Sequence, residues 1–209
     1  ILGGTGDLGT GLARRWAQAG YQVIIGSRTL EKAEAAVADL REVMAERGVG
    51  EVTVQAMANT DAAAAADIVT LTVPFSHQSS TLESVRAALQ GKILIDVTVP
   101  LVPPKVARVQ MPAQGSAGQI AQELLGEDVA VVSAFQNVAA AHLQEGKGVE
   151  CDVLVSGNKK DAREAVITLV EAAGMRGFHA GMINNAAAAE ALTSVLIAIN
   201  KQYGCHAGI

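Results

Sequence analysis

The six residues Gly4-Thr5-Gly6-Asp7-Leu8-Gly9 constrain this chain more than any others. They fit the pattern G-x-G-x-x-G, which is weak alone and gains its force from its setting. Ile1-Leu2 before it reads as the tail of a strand, Leu8–Ala19 carries a helical pattern, and Tyr21–Gly26 reads as the next strand. Together they make a βαβ unit of the kind that holds a dinucleotide. Gly4 would permit the tight turn, Gly6 would let the backbone approach a pyrophosphate, and Gly9 would let helix and strand pack closely. The helix start then offers free N–H groups and a positive dipole end to an anion. The competing reading is a plain glycine turn.

The rest of the chain repeats the alternation. Short β-branched runs at Glu51–Ala56, Ile68–Val73, Lys92–Val97, Val129–Ala134 and Cys151–Ser156 read as strands buried on both faces. Helical patterns lie between them at Leu30–Arg47, Ala62–Ala66, His77–Leu89, Ala117–Leu125 and Asp161–Ala173, and a last one covers about Asn185–Gln202. The expectation is an α/β, Rossmann-type doubly wound, mostly parallel sheet with a small C-terminal helical part. Residues 1–150 form the expected nucleotide-binding domain, and 151–209 a smaller part packed on it. Both ends of the sequence read as incomplete.

The second strand ends Gly26-Ser27-Arg28, where NAD-binding domains usually carry an acid for the ribose 2′-OH. A hydroxyl and a guanidinium stand there instead, and Lys32 follows four residues on, facing back toward the loop. Ser27, Arg28 and Lys32 suit a 2′-phosphate, which Arg can bind bidentately, so the expected cofactor is NADP. The plain alternative is ordinary surface charge.

Two later strands stop at prolines, in Val73-Pro74 and Val99-Pro100. In a doubly wound sheet, ligands sit outside the carboxyl ends of strands. These ends would form a rigid apolar wall, with His77 either capping the next helix or touching the cofactor. The run Ser133-Ala-Phe135-Gln136-Asn137-Val138-Ala139-Ala140 would place Gln136 and Asn137 as neutral amides beside a ring, with small residues leaving room for a flat partner. Asn137 as a helix N-cap is the simpler alternative.

Composition narrows the classes. The chain has 209 residues, a net charge of −5 and 3% aromatic residues, which argues against a reader of nucleic acid. The apolar stretch near Ala186–Ile199 is too short, and too interrupted by Glu190, Thr193 and Ser194, to span a bilayer. That helix is apolar around most of its circumference, so a second subunit is its expected cover. Cys151 and Cys205 form no CxxC, so no zinc site or disulfide framework is expected, and the expected compartment is a reducing cytoplasm. No nucleophile elbow or HExxH motif appears. Hydride transfer needs neither, so no acid–base residue and no metal ligand is assigned; the cofactor carries the chemistry and the protein positions two rings.

Leu2-Gly-Gly-Thr-Gly-Asp-Leu-Gly, Gly26-Ser27-Arg28, Lys32-Ala-Glu, Thr72-Val-Pro-Phe-Ser-His77, Ser133-Ala-Phe135, Glu190-Ala-Leu-Thr193 and Asn200–Gly208 together resemble the F420-dependent NADP oxidoreductases, over nearly the whole chain. The resemblance implies a homodimer that reversibly passes hydride between NADPH and C5 of the deazaflavin F420. It implies NADP contacts at Thr5, Gly6, Asp7 and Leu8, a 2′-phosphate site at Ser27, Arg28 and Lys32, and a nicotinamide wall at Val73, His77, Val99 and Ala140. F420 would lie against Gln136, Asn137, Val138, Ala139 and Ala140, and against Ala191, Thr193, Leu196 and Ile197, with Ala207 a further contact. The family commonly has His at the Gln136 position and Pro or Ser at Ala139. Two alternatives stand beside this reading: an NADP-dependent reductase of a flavin, quinone or imine, and a non-catalytic NADP-binding sensor.

Overall fold

The computed structural model describes residues 1–145, 149–205 and 208. The chain begins inside the sheet. Leu2 forms parallel bridges to Gly26 on one side and Leu71 on the other. Its N–H donates to the Thr70 carbonyl at 2.7 Å, and the Thr72 N–H donates to the Leu2 carbonyl at 3.0 Å. The glycine turn leads into α1 (Asp7–Gln18), and β1 (Val23–Ser27), α2 (Leu30–Glu46) and β2 (Val54–Ala58) complete the first half. α3 (Asn59–Ala65), β3 (Ile68–Leu71), α4 (Gln78–Val85), β4 (Ile93–Asp96), α5 (Ala117–Leu125) and β5 (Ala130–Ser133) build the second. The chain continues through α6 (Ala140–Gln144), β6 (Asp152–Gly157), α7 (Lys160–Ala172), β7 (Arg176–His179) and α8 (Ala186–Tyr203).

The spatial order is β2, β1, the Leu2 segment, β3, β4, β5, β6, β7. Strand order reverses around Leu2, and the crevice above that reversal is where a doubly wound sheet takes its ligand. β1 to β5 run parallel, as expected. β6 pairs antiparallel with β5, Val132 standing opposite Gly157, and β7 is parallel to β6. Residues beyond 150 thus extend the same sheet.

Neighbouring strand residues point to opposite cores, as the two-residue period requires. Ile95 and Val132 join Leu12, Trp16, Ile25, Leu40 and Val166 on one face. Leu94 and Val131 join Leu2, Leu71, Leu82 and Leu125 on the other. The short, unbroken apolar strands follow from this double burial.

Four elements depart from the sequence reading. The helix expected over His77–Leu89 is an α-helical core between two 3-10 turns, Phe75–His77 and Arg86–Leu89. The five-residue α6 is too short to show a period, and β7, Arg-Gly-Phe-His, is a largely exposed edge with no apolar run. α8 buries only part of its surface: Glu190, Ser194 and Leu196 face inward, while Val195 and Ile199 are 43% and 37% exposed.

Candidate functional site: a dinucleotide cleft and a latched second wall

A cleft of about 710 Å³ opens above the strand-order reversal. Gly3, Thr5, Gly6, Asp7 and Leu8 line it from the glycine turn. The left-handed backbone of the turn falls at Gly3, with φ +67°, and not at Gly4 as the motif suggested; a Cβ there would lie 2.5 Å from Val73 Cγ1. Gly4 is needed for proximity, its hypothetical Cβ lying 2.9 Å from the Ile1 carbonyl oxygen. Gly9 acts as expected, since a Cβ there would lie 2.7 Å from Gly4 Cα and 2.9 Å from Thr72 Oγ1. Gly6 has nothing within 4 Å of its Cβ position. It caps α1 in extended conformation with no side-chain hydrogen bond, so the first-turn N–H groups face open space that a pyrophosphate fits.

Ser27, Arg28, Thr29 and Lys32 line the same cleft. Ser27 is buried and its Oγ accepts the Thr29 N–H at 3.3 Å, which fixes the turn from β1 into α2. Arg28 and Lys32 are exposed, and among the described residues no carboxylate forms a salt bridge to either. Two cations and a hydroxyl at the end of β1 form a donor set for a phosphate dianion.

Val73, Pro74, His77 and Val99 also line the cleft, while Ala140, expected beside them, does not. His77 occupies the N-cap position of α4 without a side-chain cap bond. Thr72 lines the cleft beside Val73 and Pro74, while Asn59, Leu101, Pro103 and Val106 line it without having been marked by the sequence. Asn59 is buried and takes the Gly3 N–H on its Oδ1 at 3.3 Å. Thr72 donates its hydroxyl to the Leu2 carbonyl at 3.0 Å. Leu101, Pro103 and Val106 come from the segment after β4, which has no periodicity to mark it. An Asn directly after a strand was the one available signal.

Below the cleft floor lies a buried polar cluster. Asp96 at the end of β4 accepts the Thr98 N–H at 2.9 Å, and Gln78 Nε2 donates to it at 2.5 Å. Burial pushes the Asp96 carboxyl above the usual range, against the stabilising bonds from Thr98 and Gln78. Glu190 on α8 is 1% exposed and accepts the Ala117 and Gly118 N–H groups at 2.7 and 3.0 Å. Burial raises its pKa to about 7, those two N–H bonds oppose the shift, and the charge of Asp96 adds to it.

The 136–140 segment forms a second wall. Phe135 has φ +72° and turns the chain out of β5. Gln136 Nε2 donates to the Asp96 carbonyl and to Ser133 Oγ, both at 2.9 Å, while its buried Oε1 has no partner among the described residues. Asn137 Nδ2 donates to the Ala189 carbonyl at 2.9 Å and to Thr193 Oγ1 at 3.1 Å, and the Thr193 hydroxyl donates to the Gln136 carbonyl at 3.1 Å. The amide N–H groups of Gln136 and Asn137 are therefore engaged within the chain. Asn137 is not the cap of α6; that position is Ala139. Val138, Ala139, Ala140, Ala191, Thr193 and Ile197 are half-buried, and Leu196 is buried. The structure brings the 136–140 and α8 groups together; of the two sets, none lines the nucleotide cleft. Ala207 lies outside the described residues.

α6 joins this wall to α1. Arg15 of α1 donates to the Leu143 and His142 carbonyls at 3.2 and 3.0 Å. Gln144 Nε2 donates to the Asp7 carbonyl at 2.6 Å and to Thr10 Oγ1 at 2.9 Å, and Arg14 reaches the Gln144 side-chain oxygen.

A family model described as NADP oxidoreductase, coenzyme F420-dependent, matches residues 1–100. The F420-dependent NADP reductase of Methanocaldococcus jannaschii is 40% identical over 97% of this chain and 92% of its own length. That of Methanothermobacter thermautotrophicus is 41% identical over 96% of this chain and 88% of its own. Among solved structures, a putative F420-dependent NADP reductase from Arthrobacter sp. FB24 superimposes with a TM-score of 0.78 at 27% identity, covering 97% of this chain and 93% of that one. An imine reductase from Myxococcus stipitatus, 20% identical with a TM-score of 0.61, covers 96% of this chain and 60% of its own, and shares the fold alone. With two relatives near 40% identity along almost their whole lengths, the chain belongs to the family of F420-dependent NADP reductases.

Proposed function

We propose that this protein is an oxidoreductase that moves hydride reversibly between NADP(H) and the deazaflavin coenzyme F420. The observation that carries the first half is the cleft, where an uncapped helix start and open space at Gly6 face the exposed cations of Arg28 and Lys32. The second half comes from family membership, since the named relatives are F420-dependent NADP reductases. Bound together, the two coenzymes would supply the chemistry, a hydride exchanged between C4 of the nicotinamide and C5 of the deazaflavin, with one proton exchanged at the deazaflavin's ring nitrogen.

The chain's own task is to bind and orient. First-turn N–H groups of α1 hold the pyrophosphate, and Ser27, Arg28 and Lys32 hold the 2′-phosphate. Val73, Pro74, His77 and Val99 support the nicotinamide side. Gln136 to Ala140, with Ala191, Thr193, Leu196 and Ile197, form the wall for the deazaflavin. Bringing the reacting carbons to about 3–3.5 Å is the main contribution asked of the protein. No side chain has to change protonation in the hydride step.

The same reading makes the protein a cytoplasmic homodimer. The apolar Val195 and Ile199 on the outer side of α8 support pairing of two chains along that helix. Among the described residues, no helix is long and apolar enough to cross a membrane. The test is stopped-flow absorbance of the protein mixed with NADPH and oxidised F420. Rapid, saturable loss of the deazaflavin's visible band is expected. NADPH binding without that loss would overturn the F420 half and turn attention to flavin, quinone and imine acceptors.

A further inference from the structure

Glu190 is the one acid of α8: it is buried, and it spends both oxygens on the backbone of another helix. Its Oε2 takes the Ala117 N–H at 2.7 Å and its Oε1 the Gly118 N–H at 3.0 Å, two first-turn groups of α5 that would otherwise lack a partner. The approach depends on small residues. A Cβ at Gly118 would lie 3.1 Å from Ile183 Cδ1, 3.3 Å from Ser133 Cβ and 3.4 Å from Ala186 Cβ. On the same helix, the carbonyl of Ala189, the residue directly before Glu190, takes the Asn137 amide, and Thr193, one turn later, binds both Asn137 and the Gln136 carbonyl. Gln136 in turn reaches the Asp96 carbonyl at the end of β4.

We propose that Glu190 is a positioning residue for hydride transfer: by fixing α8 to the N-terminus of α5 it sets where Ala189 and Thr193 hold the Gln136–Ala140 wall. This rests on the reading that the wall borders the deazaflavin. Glu190 touches neither coenzyme in this account and acts only through α8. A two-oxygen carboxylate is suited to the task because it accepts two neighbouring N–H groups at once and cannot rotate without losing one. Glu190 lines no part of the NADP cleft, which takes its residues from the glycine turn, the end of β1 and the start of α2, the ends of β3 and β4, and the segment after β4, so a change at Glu190 should reach NADP only weakly.

The test uses Glu190→Gln in the full chain, a near-isosteric change that sets an NH2 group against one backbone N–H. The KM for F420 should rise about tenfold while the NADPH dissociation constant, read by fluorescence titration, stays within about twofold. Amide hydrogen exchange at Gln136 and Val138 should quicken. Gly118→Ala disturbs the same junction from the α5 side, keeps Glu190 intact and should reproduce the pattern if Glu190→Gln fails to fold. An unchanged KM for F420, or a parallel loss of NADPH affinity, overturns the proposal. If the wild-type protein does not reduce F420, the reaction assignment fails, and the exchange measurement decides on Glu190 separately: faster exchange in the wall supports the latch, and unchanged exchange refutes it.

Discussion

Trp16 of α1 meets Phe135 edge to face, with ring centroids 6.0 Å apart and planes at 74°. The Trp16 indole N–H is held by the Leu169 carbonyl at 2.8 Å, so the contact has a fixed base. It secures a residue in an uncommon state: Phe135 is 1% exposed and has φ +72°. A bulky side chain in the left-handed region costs of order 1–3 kcal/mol and persists where packing over-determines it. The bend it makes sends the chain from β5 into the second wall.

That conformation gives an inverted expectation. Truncating a buried Phe costs about 3–5 kcal/mol, so Phe135→Ala should be strongly destabilising in urea unfolding. Glycine ordinarily makes a poorer replacement than alanine, yet at positive φ it relieves strain of about 1 kcal/mol. Phe135→Gly should therefore be the more stable of the two variants. The opposite order would show that the bend is not left-handed.

The glycines of the turn should separate by role. Gly6→Val should leave the melting temperature nearly unchanged, because its Cβ position is open, and should abolish NADPH binding by filling the anion's space. Gly9→Ala should instead lower stability by about 1–3 kcal/mol, since its Cβ would meet Gly4 Cα at 2.7 Å. NADPH binding retained by Gly6→Val would reduce the motif to a turn.

Arg28→Ala should weaken NADPH about tenfold or more and NADH hardly at all, because a charge-assisted bond to phosphate contributes about 1.5–3 kcal/mol. Equal losses for the two nucleotides in a binding titration would remove Arg28 from the 2′-phosphate site.

Glu190 should leave a mark on stability against pH. Its folded pKa of about 7 lies above its ordinary value of 4.5, so between these values the native state holds more protons than the unfolded chain. Its contribution is complete below pH 4.5 and is lost as pH rises through about 7, amounting to about 3 kcal/mol. Asp96, raised in the same direction by burial, adds to the trend. Glu190→Gln should flatten the fall in unfolding free energy across that window; an unchanged slope would show that Glu190 ionises normally in the fold.

The cleft was legible because steric rules fix glycine spacing and because Ser27 and Arg28 stand where an acid would otherwise be. β3, β4 and β5 were legible because burial on both faces leaves a short unbroken apolar run. The second wall was only partly so. Gln136 and Asn137 read as amides beside a ring, but whether an amide faces a ligand or its own chain depends on α8, about fifty residues away in sequence. Glu190 read as an interruption of an apolar helix, since one sequence does not say which acid on a helix is buried. Phe135 runs against local preference, so no propensity marks its bend. Leu101, Pro103 and Val106 lie in an aperiodic segment that carries no signal of its place over the cleft.

α6 is tied at its C-terminal end to α1 through Arg15 and Gln144, and the chain just before it is tied to α8 through Asn137. A ligand that orders the glycine turn should thereby restrain the far wall before the other ligand arrives. The second to bind then loses less conformational entropy, whichever it is. By linkage any such gain would be the same in both orders, so neither coenzyme would have to lead.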